Sequence, residues 1–230
     1  MNYAISDIHG RYDLYLKMLS RIQLSDKDRL YIIGDICDRG EQGLKTVLDI
    51  AERDNVSVIM GNHDFTALSV LTSLDREVSQ GEVEGIKSLI AAWKFDGGDS
   101  TYNEYRALTK SERALALMTI DSFSDYGILQ TSAGDFVMCH GGIGNYEKGK
   151  PLYEYSLIDL AFTREDYSKP KFTQKGKYLV TGHTPTAAID GATEGRIYRC
   201  HDHIAIDCGA VFGFGLGCIC LDTMEEFYVK

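Results

Sequence analysis

The sequence predicts an α/β fold of two stacked, mixed β-sheets flanked by helices, with a helical insertion around 73–124. Positions 2–72 repeat a strand, loop and helix three times, which implies a largely parallel sheet with right-handed crossovers. From about 73 to 124 the chain turns helix-rich and polar. From about 125 onward short strands return between tight turns, as a second sheet, mixed or antiparallel, requires.

Taken in order, residues 2–6 (NYAIS) form a short strand, and Leu14, Met18, Leu19 and Ile22 recur at helical spacing over 11–22. Gly10 is expected to let the backbone turn away into that helix. A second strand at 28–33 (DRLYII) leads through GDICDRG into a helix over 41–53, with Leu44, Val47, Leu48 and Ala51 on one face. The third strand, 56–60 (VSVIM), leads through GNHD into a helix over 64–72. The insertion is broken at Gly97 and Gly98, and Thr109 with Glu112 makes a capping box for a helix ending near 122. Further strands are expected at 126–130, 135–139, 177–181, 196–199, 203–207, 216–221 and 226–229. Loops leaving the carboxyl ends of parallel strands converge at one sheet edge, where ligands bind.

With 230 residues, 44% of them hydrophobic and 25% charged, the chain suits one generous domain, 1–230. A formal net charge of -10 argues against a nucleic-acid groove, which needs a basic stripe to neutralise phosphates. Phosphate substrates stay open, because bound cations reverse the local sign inside an acidic site. Cys37, Cys139, Cys200, Cys208, Cys218 and Cys220 lack CxxC spacing and read as thiols in a reducing compartment. No segment nears the ~18 consecutive apolar residues of a membrane span, and no basic region with an apolar stretch opens the chain, so the cytoplasm is the expected address. CHDH at 200–203 offers four metal donors, but strand alternation splits them between two faces and no separate site is expected there.

Five strand-end loops carry the chemistry: SDIHG with Asp7 and His9, GDICDRG with Asp35, Asp38 and Arg39, GNHD with Asn62 and His63, CHGG with His140, and TGHTP with His183. Each alone reads more readily as a turn or a surface residue. Gathered at one edge, their carboxylate, imidazole and amide donors suit two metal ions about 3.5–4 Å apart.

These motifs, in this order, resemble the phosphoprotein phosphatase branch of the calcineurin-like metallophosphoesterases, whose pattern runs DxHG, GDxxDRG, GNHE or GNHD, HGG and GHT. The match spans 5–184, and IDCGAVFGFGLGCICLD at 206–222 resembles the strand-loop-strand that closes such domains. WKFDGGDSTYNEY at 93–105 is similar to the insertion of small bacterial and phage-type protein phosphatases and of symmetrical diadenosine tetraphosphate hydrolases. The resemblance implies a calcineurin-like metallophosphoesterase fold and a phosphatase that depends on two divalent metal ions, Mn ahead of Fe or Zn. It implies that Asp7, His9 and His183 hold one ion, Asn62 and His140 the other, and Asp35 both. A metal-bridging hydroxide would attack phosphorus in line, His63 would protonate the leaving group, and Asp38 would orient His63. Arg39 and Arg164 would grip the phosphate, Arg164 lying in LAFTRED where the family has a WxR motif and Phe162 takes the aromatic position.

The expected substrates are phosphoserine and phosphothreonine in proteins first, and a small phosphorylated nucleotide, a dinucleoside tetraphosphate cut symmetrically, second. Neither a stable nucleic-acid partner nor a membrane is expected. A non-catalytic scaffold of the same fold is the third reading, against which stand the retained ligand candidates together with Asp38, Arg39 and His63.

Overall fold

The computed structural model describes residues 1–74 and 81–230. β1 (Asn2–Ile5), β2 (Arg29–Ile33) and β3 (Val56–Ile59) lie parallel, with Ala4 opposite Tyr31 and Ile32 opposite Val58. α1 (Tyr12–Arg21) and α2 (Gly43–Ala51) form the crossovers. Successive strand side chains alternate between two buried faces. Ile5, Leu30 and Ile32 pack with Leu14, Met18, Leu44 and Val47 of the helices, whereas Ala4, Ile33 and Ile59 face the second sheet. Burial on both faces is why these strands read as near-continuous apolar runs.

The helix faces differ in detail from the periodicity. In α1, Tyr15 is fully buried while Leu19 is half-buried, because the Tyr15 and Tyr12 hydroxyls reach across to Asp49 of α2 at 3.2 and 3.0 Å. α2 starts at Gly43 rather than 41, and its buried face runs through Leu44, Val47 and Ile50, with Leu48 half-buried and Ala51 exposed. α3 (Asn62–Leu74) begins two residues earlier than expected, inside the GNHD motif itself.

The second sheet is mixed. β5 (Gly134–Met138), β6 (Lys177–Thr181) and β8 (His203–Ala205) are parallel, and β4 (Gly127–Thr131) and β7 (Tyr198–Cys200) run antiparallel at its edges. Phe136, Met138, Val180 and Ile204 stack it onto the first sheet. β9 (Leu216–Cys220) and β10 (Glu226–Val229) depart from the expectation that all later strands build the second sheet. They complete the first, in the order β10-β9-β1-β2-β3, with β9 antiparallel to β1. Without β9, β1 would end the sheet with a row of unpaired backbone groups; the wholly buried LGCIC run covers that edge.

Between the sheets in sequence lies the insertion, of which 75–80 fall outside the described residues. It comprises α4 (Val83–Trp93), a wider turn Lys94–Gly98 in which Gly97 takes φ 106°, α5 (Asp99–Ala107) and α6 (Lys110–Asp121). A short α7 (Leu157–Ala161) follows β5. No helix among the described residues is long and apolar enough to cross a membrane. The capping box that opens α6 is present in both directions: Glu112 N–H donates to Thr109 Oγ1 at 3.3 Å, and Thr109 N–H donates to Glu112 Oε2 at 2.8 Å. Thr109→Ala is therefore expected to lower stability by about 1 kcal/mol in denaturant unfolding. A loss too small to measure would mean that buried Ala116 and Ile120 hold α6 in place without its cap.

Candidate active site

Asp7, His9, Asp35, Asp38, Arg39 and His183 all adopt positive φ, between 42° and 69°, and make up six of the ten non-glycine residues that do so among those described. Such backbone costs of order 1–3 kcal/mol per residue and persists only where its surroundings over-determine it. Here β1 and β2 keep hydrogen-bonding past their ends: Asp7 N–H to Gly34 O at 3.0 Å, His9 N–H to Asp35 O at 2.9 Å, Gly10 N–H to Ile36 O at 2.8 Å. Gly182 N–H to His140 O, 2.9 Å, ties the second sheet's loops in the same way. Gly10 does more than turn the chain. At φ 65° it lies so close to Gly40 that a Cβ would overlap the Gly40 backbone. Across the two sheets, the His183 N–H reaches Asp7 Oδ2 at 3.0 Å.

Two backbone carbonyls aim two imidazoles. His9 Nδ1 lies 2.9 Å from Cys37 O, and His140 Nδ1 lies 2.8 Å from Ile33 O. A carbonyl only accepts, so each Nδ1 carries a proton and each ring turns its Nε2 inward. His140 Nε2 is 3.2 Å from Asp35 Oδ2 and 3.1 Å from Asn62 Oδ1, and His9 Nε2 is 3.5 Å from the same Asp35 oxygen. Candidate donor atoms of Asp35, His140 and His183 lie within 4.8 Å of one another, as do those of His9, Asp35 and His63. Asp35 belongs to both groups. His183 thus sits with His140, which corrects the division that set it with Asp7 and His9: only its backbone N–H meets Asp7, while its ring packs 5.1 Å from that of His140.

Charge in the site is concentrated and buried. Burial and the neighbouring Asp207 push Asp7 well above the usual carboxylate range. Burial also opposes ionisation of Asp35, but the charge and hydrogen bond of His140 beside it outweigh that and hold it well below the usual range. His140 is the counterpart: burial lowers it, Asp35 and Asp7 outweigh the burial, and it rises to about 10. Burial takes His9 and His183 down to about 3, leaving both neutral. Asp64, which accepts the Ile36 and Cys37 N–H groups at 3.0 Å, and Asp207 are both raised by burial to about 6. Buried carboxylates outnumber the cations available to neutralise them, and oxygen and imidazole donors converge, so the set fits two divalent cations.

Beside this cluster stands His63, whose Nδ1 is 2.8 Å from Asp38 Oδ2. Burial lowers the imidazole, but the Asp38 hydrogen bond and the Asp35 charge outweigh it and raise His63 above its ordinary value. Arg39 spans two rings, with Nη1 2.8 Å from His9 Nε2 and Nη2 2.8 Å from His63 Nε2. Arg164, in the departed WxR motif, is exposed and donates to His183 O at 3.4 Å and Thr184 Oγ1 at 3.3 Å.

The structure brings every expected site residue to this edge and adds others. Asp207, after β8, carries the same signal as SDIHG, a carboxylate at a strand end, and was legible in IDCG. Trp93 and Thr101, both hydrogen-bonded to Asp38, gave no signal, because the contacts span 55 and 63 residues. CHDH holds no metal group among the described residues: Asp202 accepts the Lys171 N–H at 2.9 Å, and His203 Nε2 lies 2.8 Å from Lys169 O.

A family model described as calcineurin-like phosphoesterase matches residues 3–211. A bis(5'-nucleosyl)-tetraphosphatase PrpE, asymmetrical, from Geobacillus sp. (strain WCH70) is 26% identical over 92% of this chain and 86% of its own. A symmetrical bis(5'-nucleosyl)-tetraphosphatase from Buchnera aphidicola subsp. Acyrthosiphon pisum (strain 5A) is 40% identical over 70 residues, 30% of this chain and 26% of that protein, so the chain matches about a quarter of this relative's length. Among solved structures, one provisionally described as a diadenosine tetraphosphatase superposes with a TM-score of 0.68 at 15% identity, over 99% of this chain and 92% of the other. A serine/threonine phosphatase from Saccharomyces cerevisiae gives 0.57 at 11% identity, over 95% and 72%. At such identities the likeness is of fold alone.

The tightest constraint in the site is Gly34, at φ 74°, where a Cβ would overlap the His140 ring. Gly34→Ala is expected to lower stability by more than about 2 kcal/mol in denaturant unfolding, through strain and overpacking together. A change below about 0.5 kcal/mol would show that β2 and His140 can move apart freely.

Proposed function

Because the chain belongs to the calcineurin-like phosphoesterase family, we propose that it is a metal-dependent phosphohydrolase, 1–230 acting as one catalytic domain, whose substrate is a dinucleoside polyphosphate. The observation that carries the hydrolase reading is the convergence of His9, His63, His140 and His183 around Asp35 within 4.8 Å. Asp7, His9 and Asp35 would hold one cation, and Asp35, Asn62, His140 and His183 the other, Mn being the ion of first choice. When bound, two such cations supply positive charge for the phosphoryl oxygens and a water acidic enough to attack at neutral pH.

The chain's own groups do the rest. Arg39 presents two N–H groups on one planar edge, the geometry that suits two phosphate oxygens, and Arg164 offers a second guanidinium beside the GHT loop. His63 is held by Asp38 through Nδ1 and directs Nε2 toward Arg39 and the open side of the site. Once the phosphate draws Arg39 off Nε2, His63 takes up a proton there. As the incoming oxygen bonds to phosphorus and the bond to the leaving oxygen breaks, that Nε2 proton passes to the leaving oxygen, and Asp38 keeps the ring aimed throughout.

The nucleotide end of the reading rests on the Geobacillus relative, which matches nearly the whole chain. Two aromatic faces at the rim suit it. Phe95 is 96% exposed in the turn whose Gly97 carbonyl accepts the Arg39 N–H at 2.8 Å, and Phe212, 55% exposed, has its ring 6.0 Å from the Arg39 guanidinium. Such faces stack on bases. Phosphoserine and phosphothreonine in proteins, ranked first from the motifs, become the second reading, supported by the order of those motifs.

Turnover of the Mn-loaded protein on diadenosine tetraphosphate and on a phosphothreonine peptide tests the choice. The nucleotide is expected to lead in kcat/KM by at least about tenfold, which is about 1.4 kcal/mol of transition-state binding; the reverse order restores the protein reading. Products decide the cut, two diphosphates if symmetrical, AMP with ATP if asymmetrical. His63→Asn is expected to lower kcat by about 10²–10⁴-fold with the content of bound Mn unchanged, and full activity would remove His63 from the chemistry. Asp35→Asn is expected to lose both ions in metal analysis; retention of two ions would exclude Asp35 as the shared ligand.

A further inference from the structure

The helical insertion supplies none of the candidate donors, yet it reaches the chemistry through Asp38. This carboxylate is fully buried, and both of its oxygens are hydrogen-bonded. Oδ2 accepts from the Trp93 indole N–H at 2.8 Å and lies 2.8 Å from His63 Nδ1. Oδ1 accepts the Thr101 hydroxyl at 2.8 Å, and that hydroxyl in turn accepts the Asp38 N–H at 2.8 Å. Trp93 closes α4 and Thr101 lies in α5, so both added partners come from the insertion.

The indole itself is locked. Trp93 is 2% exposed, and its ring lies flush on Gly98, where any Cβ would overlap it. The intervening turn is pinned on the site as well, since Arg39 N–H donates to Gly97 O at 2.8 Å and Asp96 Oδ2 lies 3.9 Å from His63 Nε2. A carboxylate held by His63 alone could still rotate about its Cβ–Cγ bond. Donors on two different helices, one to each oxygen, fix its plane.

We infer that Trp93 is a positioning residue of the reaction: its indole N–H fixes the Asp38 carboxylate and, through it, the angle at which His63 meets the leaving oxygen. The insertion is on this view part of the acid step. The inference rests on the reading of His63 as proton donor given above.

Acid assistance matters in proportion to how badly the leaving group needs a proton. p-Nitrophenolate departs as the anion, whereas phenolate gains much more from protonation. The test compares the full-length Mn-loaded protein with Trp93→Phe, which keeps the buried ring and removes the donor, on p-nitrophenyl phosphate and on phenyl phosphate. His63→Asn is carried alongside. Trp93→Phe is expected to lower kcat for phenyl phosphate by about 10–100-fold, a fraction of the full acid contribution, and for p-nitrophenyl phosphate by less than about fivefold, with KM within about twofold on both. His63→Asn is expected to show the same bias more steeply.

If His63→Asn discriminates between leaving groups and Trp93→Phe loses equally on both, or loses nothing, the positioning role is overturned and the reading of His63 stands. If His63→Asn itself does not discriminate, the acid reading falls and the inference with it. A second measurement needs no Trp93 variant. Trp93 is the only tryptophan, so ¹⁵N-labelled protein gives one indole N–H resonance. That proton is expected to exchange slowly with deuterated water and to shift in Asp38→Asn; rapid exchange in the unsubstituted protein overturns the inference whether or not Trp93→Phe folds.

Discussion

A carboxylate that cannot be buried by itself organises this molecule. Asp35 is 2% exposed, and a lone anion at that depth would lose several kcal/mol of hydration. Protonated His140 at 3.2 Å and the His63 backbone N–H at 3.0 Å answer it, with the neutral His9 ring 3.5 Å away on a third loop. Those loops leave β1, β3 and β5, so satisfying one group requires both sheets to present their carboxyl ends to the same point. The stacking of Ala4, Ile33 and Ile59 on Phe136, Met138 and Val180 sets that alignment, and the apolar core is thereby what makes the charged centre affordable.

Six strained backbone positions, of order 1–3 kcal/mol each, would be ruinous for a domain whose net stability is about 5–15 kcal/mol if nothing opposed them. Hydrogen bonds that continue the strand pairing past the strand ends offset part of that strain, and Asp64, accepting two backbone N–H groups of the second loop, offsets more. The remaining tension is electrostatic. Asp7, Asp64 and Asp207 are all pushed upward by burial, each costly to ionise where it lies.

His63 is held by a different logic from the rings beside it. His9 and His140 are aimed by backbone carbonyls, which belong to the sheet and hardly move. His63 is aimed by a side chain, Asp38, and a side chain needs its own support. That support arrives from α4 and α5, outside the two-sheet core, although Asp38 and His63 themselves lie in the same loops as Asp35 and Asn62.

The strands, their parallel repeat and the five loops could be read from the sequence because they depend on local pattern: apolar runs of four or five residues, a glycine after each, and donors two or three positions apart. Asp7, His9, Asp35, Asn62, His63, His140 and His183 were singled out as candidates from these loops, and the Thr109 capping box was read from Thr109 and Glu112. Three things depended on tertiary structure. Whether β9 joined the first sheet or the second turned on which strand edge lay unpaired, and two buried apolar strands look alike in sequence. Whether His183 faced Asp7 or His140 turned on the direction of one ring at a positive φ, which spacing does not encode. The link from Trp93 and Thr101 to Asp38 crosses more than fifty residues, and a hydrogen bond at that separation leaves no period, motif or spacing in the chain that makes it.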